Sequence, residues 1–302
     1  MMAWLLRFSM LMALAAILAW WAWWWPGHPL LALAGVAGVV FWPLLLLAAQ
    51  FAFMRAHCLR SGQRVPGTAT LLRAWWAACR WNVLSFNWLV AFRERAEPDG
   101  LGADDARGQV GMVLVHGFGC NRGVWNPWLA RCRRQGLPCV AVTLTPPLGA
   151  TLDAMVPDLD AGVRRLVAAT GRAPLIVAHS MGGLVVRAWL KSLDASERLQ
   201  LAAHVVSLGV PHAGTPMARF ARQLPAVDMR PASAWLARLG APAGDVGWTC
   251  WASRCDNVVF PLAAAHLAGH AQITLEDASH LQLVFDERVI SACEALRARL
   301  QG

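Results

Sequence analysis

Ser180, Asp256 and His280 have the types and the chain order that nucleophilic catalysis needs. A serine hydroxyl attacks a carbonyl only when a base takes its proton and a carboxylate holds that base in the right tautomer. Ser180 stands in Ala178-His179-Ser180-Met181-Gly182, a G-x-S-x-G pattern with alanine in the first glycine position. The apolar run at 175–178 reads as a buried strand, and the periodic run after Gly183 reads as a helix. The turn between them must be sharp enough to push the Ser180 hydroxyl outward. Its neighbours two residues away must then be small, as Ala178 and Gly182 are. A serine among small residues also fits a plain strand-to-helix connection. Its partners decide between the two.

Asp256 lies just past an apolar strand at 248–252, and His280 lies past another at 272–275. The C-terminal ends of parallel strands are where α/β folds collect their chemistry. Asp228 and Asp245 lack a preceding strand, and Asp277 and Asp286 crowd His280 in sequence. His179 is expected to pack behind the serine. His212 is expected to be structural, and His116 to fix a loop. Acyl transfer also places negative charge on the former carbonyl oxygen, which two backbone amides can stabilise. The candidates are Met181, after the serine, and Phe118 in His116-Gly117-Phe118-Gly119. A phosphate-binding reading of that glycine loop is weaker, because no G-K-[ST] follows it. Chemistry of this kind requires no metal and no organic cofactor.

Apolar strands and amphipathic helices alternate from residue 109 onward. Strands are expected at 110–115, 139–144, 175–178, 204–208, 248–252 and 272–275. Helices are expected near 124–135, 152–169 and 287–300. This alternation predicts the α/β class, with a mostly parallel sheet covered on both faces over 109–302. The stretch 215–246 carries Met217, Phe220, Leu224, Trp235, Leu236 and Leu239 and reads as short helices. They are expected to form an apolar cap or to pack as ordinary helices.

The first 56 residues have a different composition. The chain is 57% hydrophobic and 15% charged, and residues 8–54 contain no Asp, Glu, Lys or Arg. Pro26-Gly27-His28-Pro29 divides that run, leaving His28 and Gln50 as its strongly polar members. Each half can cross a hydrocarbon core, which takes about 20 helical residues. The tryptophans at 20–25 suit a membrane interface better than a signal-peptide cleavage site. Two transmembrane helices, 4–25 and 30–54, are therefore expected. Arg7 precedes the first, and Arg55, Arg60, Arg64, Arg73 and Arg80 follow the second. By the positive-inside rule this puts the rest of the chain on the cytoplasmic side of the inner membrane. The net charge of +9 suits an anionic membrane surface, and no nucleic-acid motif accompanies it. Residues 57–108 form a juxtamembrane segment and linker. Within it, 71–92 is expected as a helix on or against the membrane, although 86–93 also fits an early strand, and 96–108 is expected as a loop. The eight cysteines include no C-x-x-C and read as reduced apolar fillers.

Taken together, V-L-V-H-G-F-G, A-H-S-M-G-G, S-L-G-V-P-H-A-G-T-P, D-N-V-V-F-P and S-H-L resemble the α/β-hydrolase superfamily, in its bacterial lipase/esterase branch. The resemblance covers residues 109–285. It implies Ser180, Asp256 and His280 as the catalytic set, and Phe118 and Met181 as the oxyanion hole. It also implies an acyl ester or lipid as substrate. Small bacterial lipases share the alanine at the first elbow position. The hairpin departs from secreted lipases and points to work at a membrane. The same parts also serve an acyltransferase or thioesterase, and a non-catalytic membrane scaffold is the alternative from another class.

Overall fold

Two long apolar helices open the chain in the computed structural model, which describes residues 1–101 and 106–302. They are α1, Met2–Trp24, and α2, Pro29–Arg60, and both are long and apolar enough to cross a membrane. Pro29 at the first turn of α2 gives up an amide that has no intrahelical partner. Gly62, at φ +67°, supplies the left-handed residue that ends the helix. Near the tip the two helices meet at Gly35. A Cβ there would fall 2.0 Å from Nε1 of Trp20, whose N–H donates to Leu31 O at 3.0 Å.

The next element is α3, Thr68–Leu84, prolonged by a wide turn at Ser85–Leu89 and by Val90–Phe92. The strand considered for 86–93 is therefore helical. Leu71, Ala74 and Ala78 face α2, and Trp81 stacks on Phe285 with ring centroids 4.3 Å apart. The expected loop at 96–108 is described except for residues 102–105, which lie outside the described residues.

Six apolar runs then form six strands. They are β1 Met112–Val115, β2 Cys139–Val142, β3 Leu175–His179, β4 His204–Leu208, β5 Trp248–Ser253 and β6 Ala271–Leu275. All are parallel, in the order β2-β1-β3-β4-β5-β6. The connecting helices are α4 Asn126–Arg134, α5 Val156–Thr170, α6 Met181–Ser192, α7 Ala195–Leu201, α8 Leu224–Asp228 and α9 Ala234–Leu239, and α10 Glu287–Gln301 closes the domain. The sequence pattern had not marked α7 as a separate helix. Its start is a capping box, in which Glu197 N–H donates to the Asp194 side chain at 2.8 Å.

Alternate strand residues enter opposite cores. Val113, Val115, Ile176 and Ala178 pack with Leu159, Val163 and Leu184 of α5 and α6. Met112, Leu114, Leu175 and Val177 pack with Trp125, Trp128 and Val289 on the other face. This is why the strands read as continuous apolar runs. The rings of Trp125 and Trp128 meet edge-to-face at 5.5 Å, and Trp128 Nε1 donates to Val284 O at 2.7 Å. That bond ties α4 to the turn after His280.

The chain steps from β1 outward to β2, then returns to place β3 on the other side of β1. The strand order reverses at β1/β3, where a crevice opens beyond the carboxyl ends. Both ends of the helical hairpin are held: Met2 of α1 shares an apolar cluster with Val90, Met112 and Leu114. Arg7 Nε of α1 donates to Ala91 O, and its guanidinium lies 5.3 Å from the Phe92 ring centroid. Phe51, Met54 and Cys58 of α2 join Cys255 and Phe260, which flank Asp256 in sequence. All eight cysteines are free and buried.

Candidate active site

The crevice is framed by the turns after β1 and β3. Ser180, between β3 and α6, has φ 53° and ψ −129°, a backbone conformation that residues with a Cβ rarely adopt. Strain of this kind costs about 1–3 kcal/mol and persists only where the surroundings impose it. Here they do so through close backbone approach. A Cβ on Gly182 would lie 2.5 Å from His116 O, one on Gly183 2.3 Å from Val210 Cγ2, and one on Gly117 2.8 Å from Ser180 Cβ. Ala178 has no exposed surface.

The three side chains singled out from the sequence lie in line. Ser180 Oγ is 2.9 Å from His280 Nε2, and His280 Nδ1 is 2.9 Å from Asp256 Oδ2. Asp256 is 2% exposed, and its other oxygen accepts from Val258 N at 2.8 Å and Val259 N at 2.7 Å. Those two amides fix the carboxylate, leaving Oδ2 aimed at the imidazole. With Nδ1–H donated to the Asp256 carboxylate, Nε2 carries a lone pair that faces the Ser180 hydroxyl. Asn257 completes the frame. Its Oδ1 accepts from the His280 amide at 3.2 Å, and its Nδ2 donates to Gln50 Oε1 of α2 at 2.7 Å.

Three further residues act at this line without having been read as functional from sequence. Gly209, at φ +55°, ends β4 directly beneath it. A Cβ there would sit 2.9 Å from Asp256 Oδ2 and 3.2 Å from His280 Nδ1. His179 is more than packing. Its Nε2 donates to His280 O at 3.3 Å, and the two rings are 4.6 Å apart. Burial, and then the neighbouring His280, hold the His179 imidazole well below the ordinary histidine range. Gln50 was visible as the one amide in an apolar span, but nothing in its spacing tied it to Ser180.

The remaining acids and histidines sit elsewhere. Asp228 accepts from Leu152 N at 3.0 Å, Asp245 pairs with Arg198, and Asp277 and Asp286 both pair with Arg288. His212 Nε2 meets Ser207 Oγ at 3.2 Å. His116 braces the glycine loop: it accepts Leu144 N–H at Nε2, at 3.0 Å, and donates Nδ1–H to Gly117 O at 2.8 Å. Burial pushes its pKa from 6.5 down to about 4. Between those values the unfolded chain binds a proton that the folded chain refuses, so stability falls as pH drops from 6.5 toward 4. The loss expected for this one group is about 3 kcal/mol. Thermal unfolding in detergent should steepen over that window, and His116→Asn should flatten the curve. Parallel curves for the two proteins would remove His116 as a cause.

Phe118 borders both cavities that reach Ser180, and Met181 is the first residue of the helix that follows Ser180. Two cavities meet at Ser180. The larger, of about 660 Å³, is lined mainly by apolar side chains, among them Phe118, Met217, Phe220 and Met229. The smaller, of about 280 Å³, is bounded by Asn82, His179, Asn257 and His280. The insertion at 215–246 thus divides. Met217 and Phe220 line the cavity, Leu224 is largely exposed, and Trp235 and Leu239 are buried in the core with Leu236 packed against it.

Residues 112–254 match the profile described as the alpha/beta hydrolase family. That stretch includes Phe118, Ser180 and Met181 and ends before Asp256 and His280. Among solved structures, the chain is similar to the mature form of the Bacillus licheniformis lipase BlEst2. The two are 14% identical with a TM-score of 0.55, over 63% of this chain and 92% of that one. Aspergillus fumigatus lipase B is 16% identical at a TM-score of 0.55, over 63% of this chain and 52% of its own. The chain therefore spans about half of the fungal protein. No curated protein matches it at a significant level. At such identities these structures speak for the fold, and they agree with the family profile and with the strand order. The unit that follows the helical hairpin has the α/β-hydrolase fold.

Proposed function

We propose that the protein is a membrane-anchored serine hydrolase that cleaves carboxylic esters of lipid-like acyl chains. The observation that carries this reading is the line Ser180 Oγ–His280 Nε2–Asp256 Oδ2, with both separations at 2.9 Å. Ser180 Oγ attacks the acyl carbonyl while its proton passes to His280 Nε2. Asp256 steadies the imidazolium through Nδ1–H. The Phe118 and Met181 amides receive the oxyanion, and losing one such donor costs about 2.7–4 kcal/mol of barrier. Collapse of the tetrahedral species expels the alcohol, which takes the proton back from His280. Water, deprotonated by the same imidazole, then attacks the acyl-Ser180 ester and releases the acid. The apolar lining of the larger cavity suits an acyl chain, and the two similar solved structures are lipases.

The helices α1 and α2 serve in this reading as a membrane hairpin, with the hydrolase on the cytoplasmic side. Packing of Met2 with Met112 and Leu114, and of Phe51, Met54 and Cys58 with Cys255 and Phe260, supports one common side for both ends of the hairpin. A membrane-impermeant fluorophosphonate tests site and side together. In bacterial cells expressing the protein, Ser180 should be labelled in inverted inner-membrane vesicles and not in intact spheroplasts. Labelling in spheroplasts overturns the orientation, and no adduct in either preparation overturns Ser180 as nucleophile.

A further inference from the structure

The larger cavity has a wall that does not belong to the hydrolase unit. Leu46, Ala49, Gln50 and Phe53 of α2 all line it, together with Ser180. Their spacing of three, four and seven residues places them on one helical stripe. The adjacent stripe of α2, Leu47, Phe51, Met54 and Cys58, is buried with α3 residues and with Cys255 and Phe260 near Asp256, which fixes the helix in orientation. Two contacts lock the cavity side. Gln50 accepts the hydrogen bond from Asn257, and the Phe53 ring meets Phe220 at 5.2 Å and Phe260 at 5.7 Å, both edge-on.

Depth along the helix matters as much as facing. At about 1.5 Å per residue, Leu46 lies about 26 Å from Pro29 and Phe53 about 36 Å, so the stripe straddles the end of a hydrocarbon core about 30 Å thick. The first cation after it is the exposed Arg55. The cavity therefore meets the bilayer where acyl chains give way to headgroups. Its volume of about 660 Å³ is in the range that encloses a ligand of substantial size.

We propose that α2 is part of the substrate-binding site. The acyl chain of a bilayer lipid lies between the Leu46–Ala49–Phe53 stripe and the Met217–Phe220 turn, with its carbonyl at Ser180 and its tail still at membrane depth. The substrate is then an acyl lipid drawn sideways along the span, without crossing water. This rests on the serine-hydrolase reading above. Gln50 is the positioning residue that holds the wall to the Asp256–His280 loop.

The full-length protein in lipid vesicles, reacted with a long-alkyl fluorophosphonate bearing a mid-chain diazirine, provides the test. After irradiation, Ser180 should carry the phosphonyl group and cross-links should map to residues 46–53. A Ser180 adduct whose cross-links all miss α2 overturns this proposal and leaves the serine-hydrolase reading intact. Absence of a Ser180 adduct overturns both. A second measurement uses Ala49→Trp. The ratio of kcat/KM for long-chain over short-chain p-nitrophenyl esters should fall about tenfold or more, the size of effect that filling an apolar pocket produces. Leu45→Trp, four residues before Ala49 and outside the cavity lining, should leave that ratio unchanged. An unchanged ratio in Ala49→Trp, or equal shifts in both variants, overturns the wall.

Discussion

Ser180→Ala is expected to lower kcat on p-nitrophenyl esters about 10⁶-fold, the scale seen when the nucleophile of such a set is removed. The substitution deletes one oxygen and leaves His280 facing a methyl group. No second hydroxyl or thiol takes part in the Ser180–His280–Asp256 line of hydrogen bonds. What should survive is the contribution of the proposed oxyanion amides, Phe118 and Met181, and of substrate binding, about 10³–10⁴ over water. The fold should persist, because alanine at φ 53° meets the same backbone restriction as serine. Unchanged thermal unfolding with lost turnover is the expected pair of results. Turnover within tenfold of the parent would remove Ser180 from the chemistry.

Asp256→Asn should cost about 10⁴ in kcat, and the surrounding amides explain why an isosteric change does so much. Val258 N–H and Val259 N–H both donate to Oδ1. An asparagine must turn its single carbonyl oxygen toward them, which leaves its NH₂ facing His280 Nδ1. The imidazole then accepts at Nδ1 and carries its proton on Nε2, the nitrogen that must receive the proton of Ser180. The side-chain frame is preserved while the tautomer is inverted. Burst-phase measurement of acylation should show the loss in the first step. A drop smaller than about tenfold would mean that another group orients His280.

The nucleophile turn was legible in sequence because it depends on local geometry. A strand, three small positions and a helix can form only a few shapes, and the strained Ser180 is one of them. Asp256 and His280 were legible because parallel strands deliver their following loops to one edge. The segment 68–92 was harder. Tryptophans and two arginines satisfy both a helix and an edge strand, and only the packing of Leu71, Ala74 and Ala78 on α2 separates the two. The insertion shows a similar limit. Amphipathic spacing says that Trp235 and Phe220 each prefer cover, but not that one enters the core while the other borders a cavity. The role of α2 was hidden for the same reason. An apolar helix has one appearance in sequence whether lipid or protein surrounds it. Gly209 carried only the weak signal of a glycine at a strand end, since what it avoids, the Asp256–His280 bond, lies 47 and 71 residues further on.

The order of these parts along the chain also sets a timetable. Synthesis at about 5–20 residues per second delivers His280 roughly 11–44 s after Arg60, the last residue of α2. The hairpin therefore leaves the ribosome well before the base that completes the line through Ser180. The α2 residues that line the larger cavity are made before the final strand of the sheet, and the chain order leaves that strand to complete a unit whose wall helix is already synthesised.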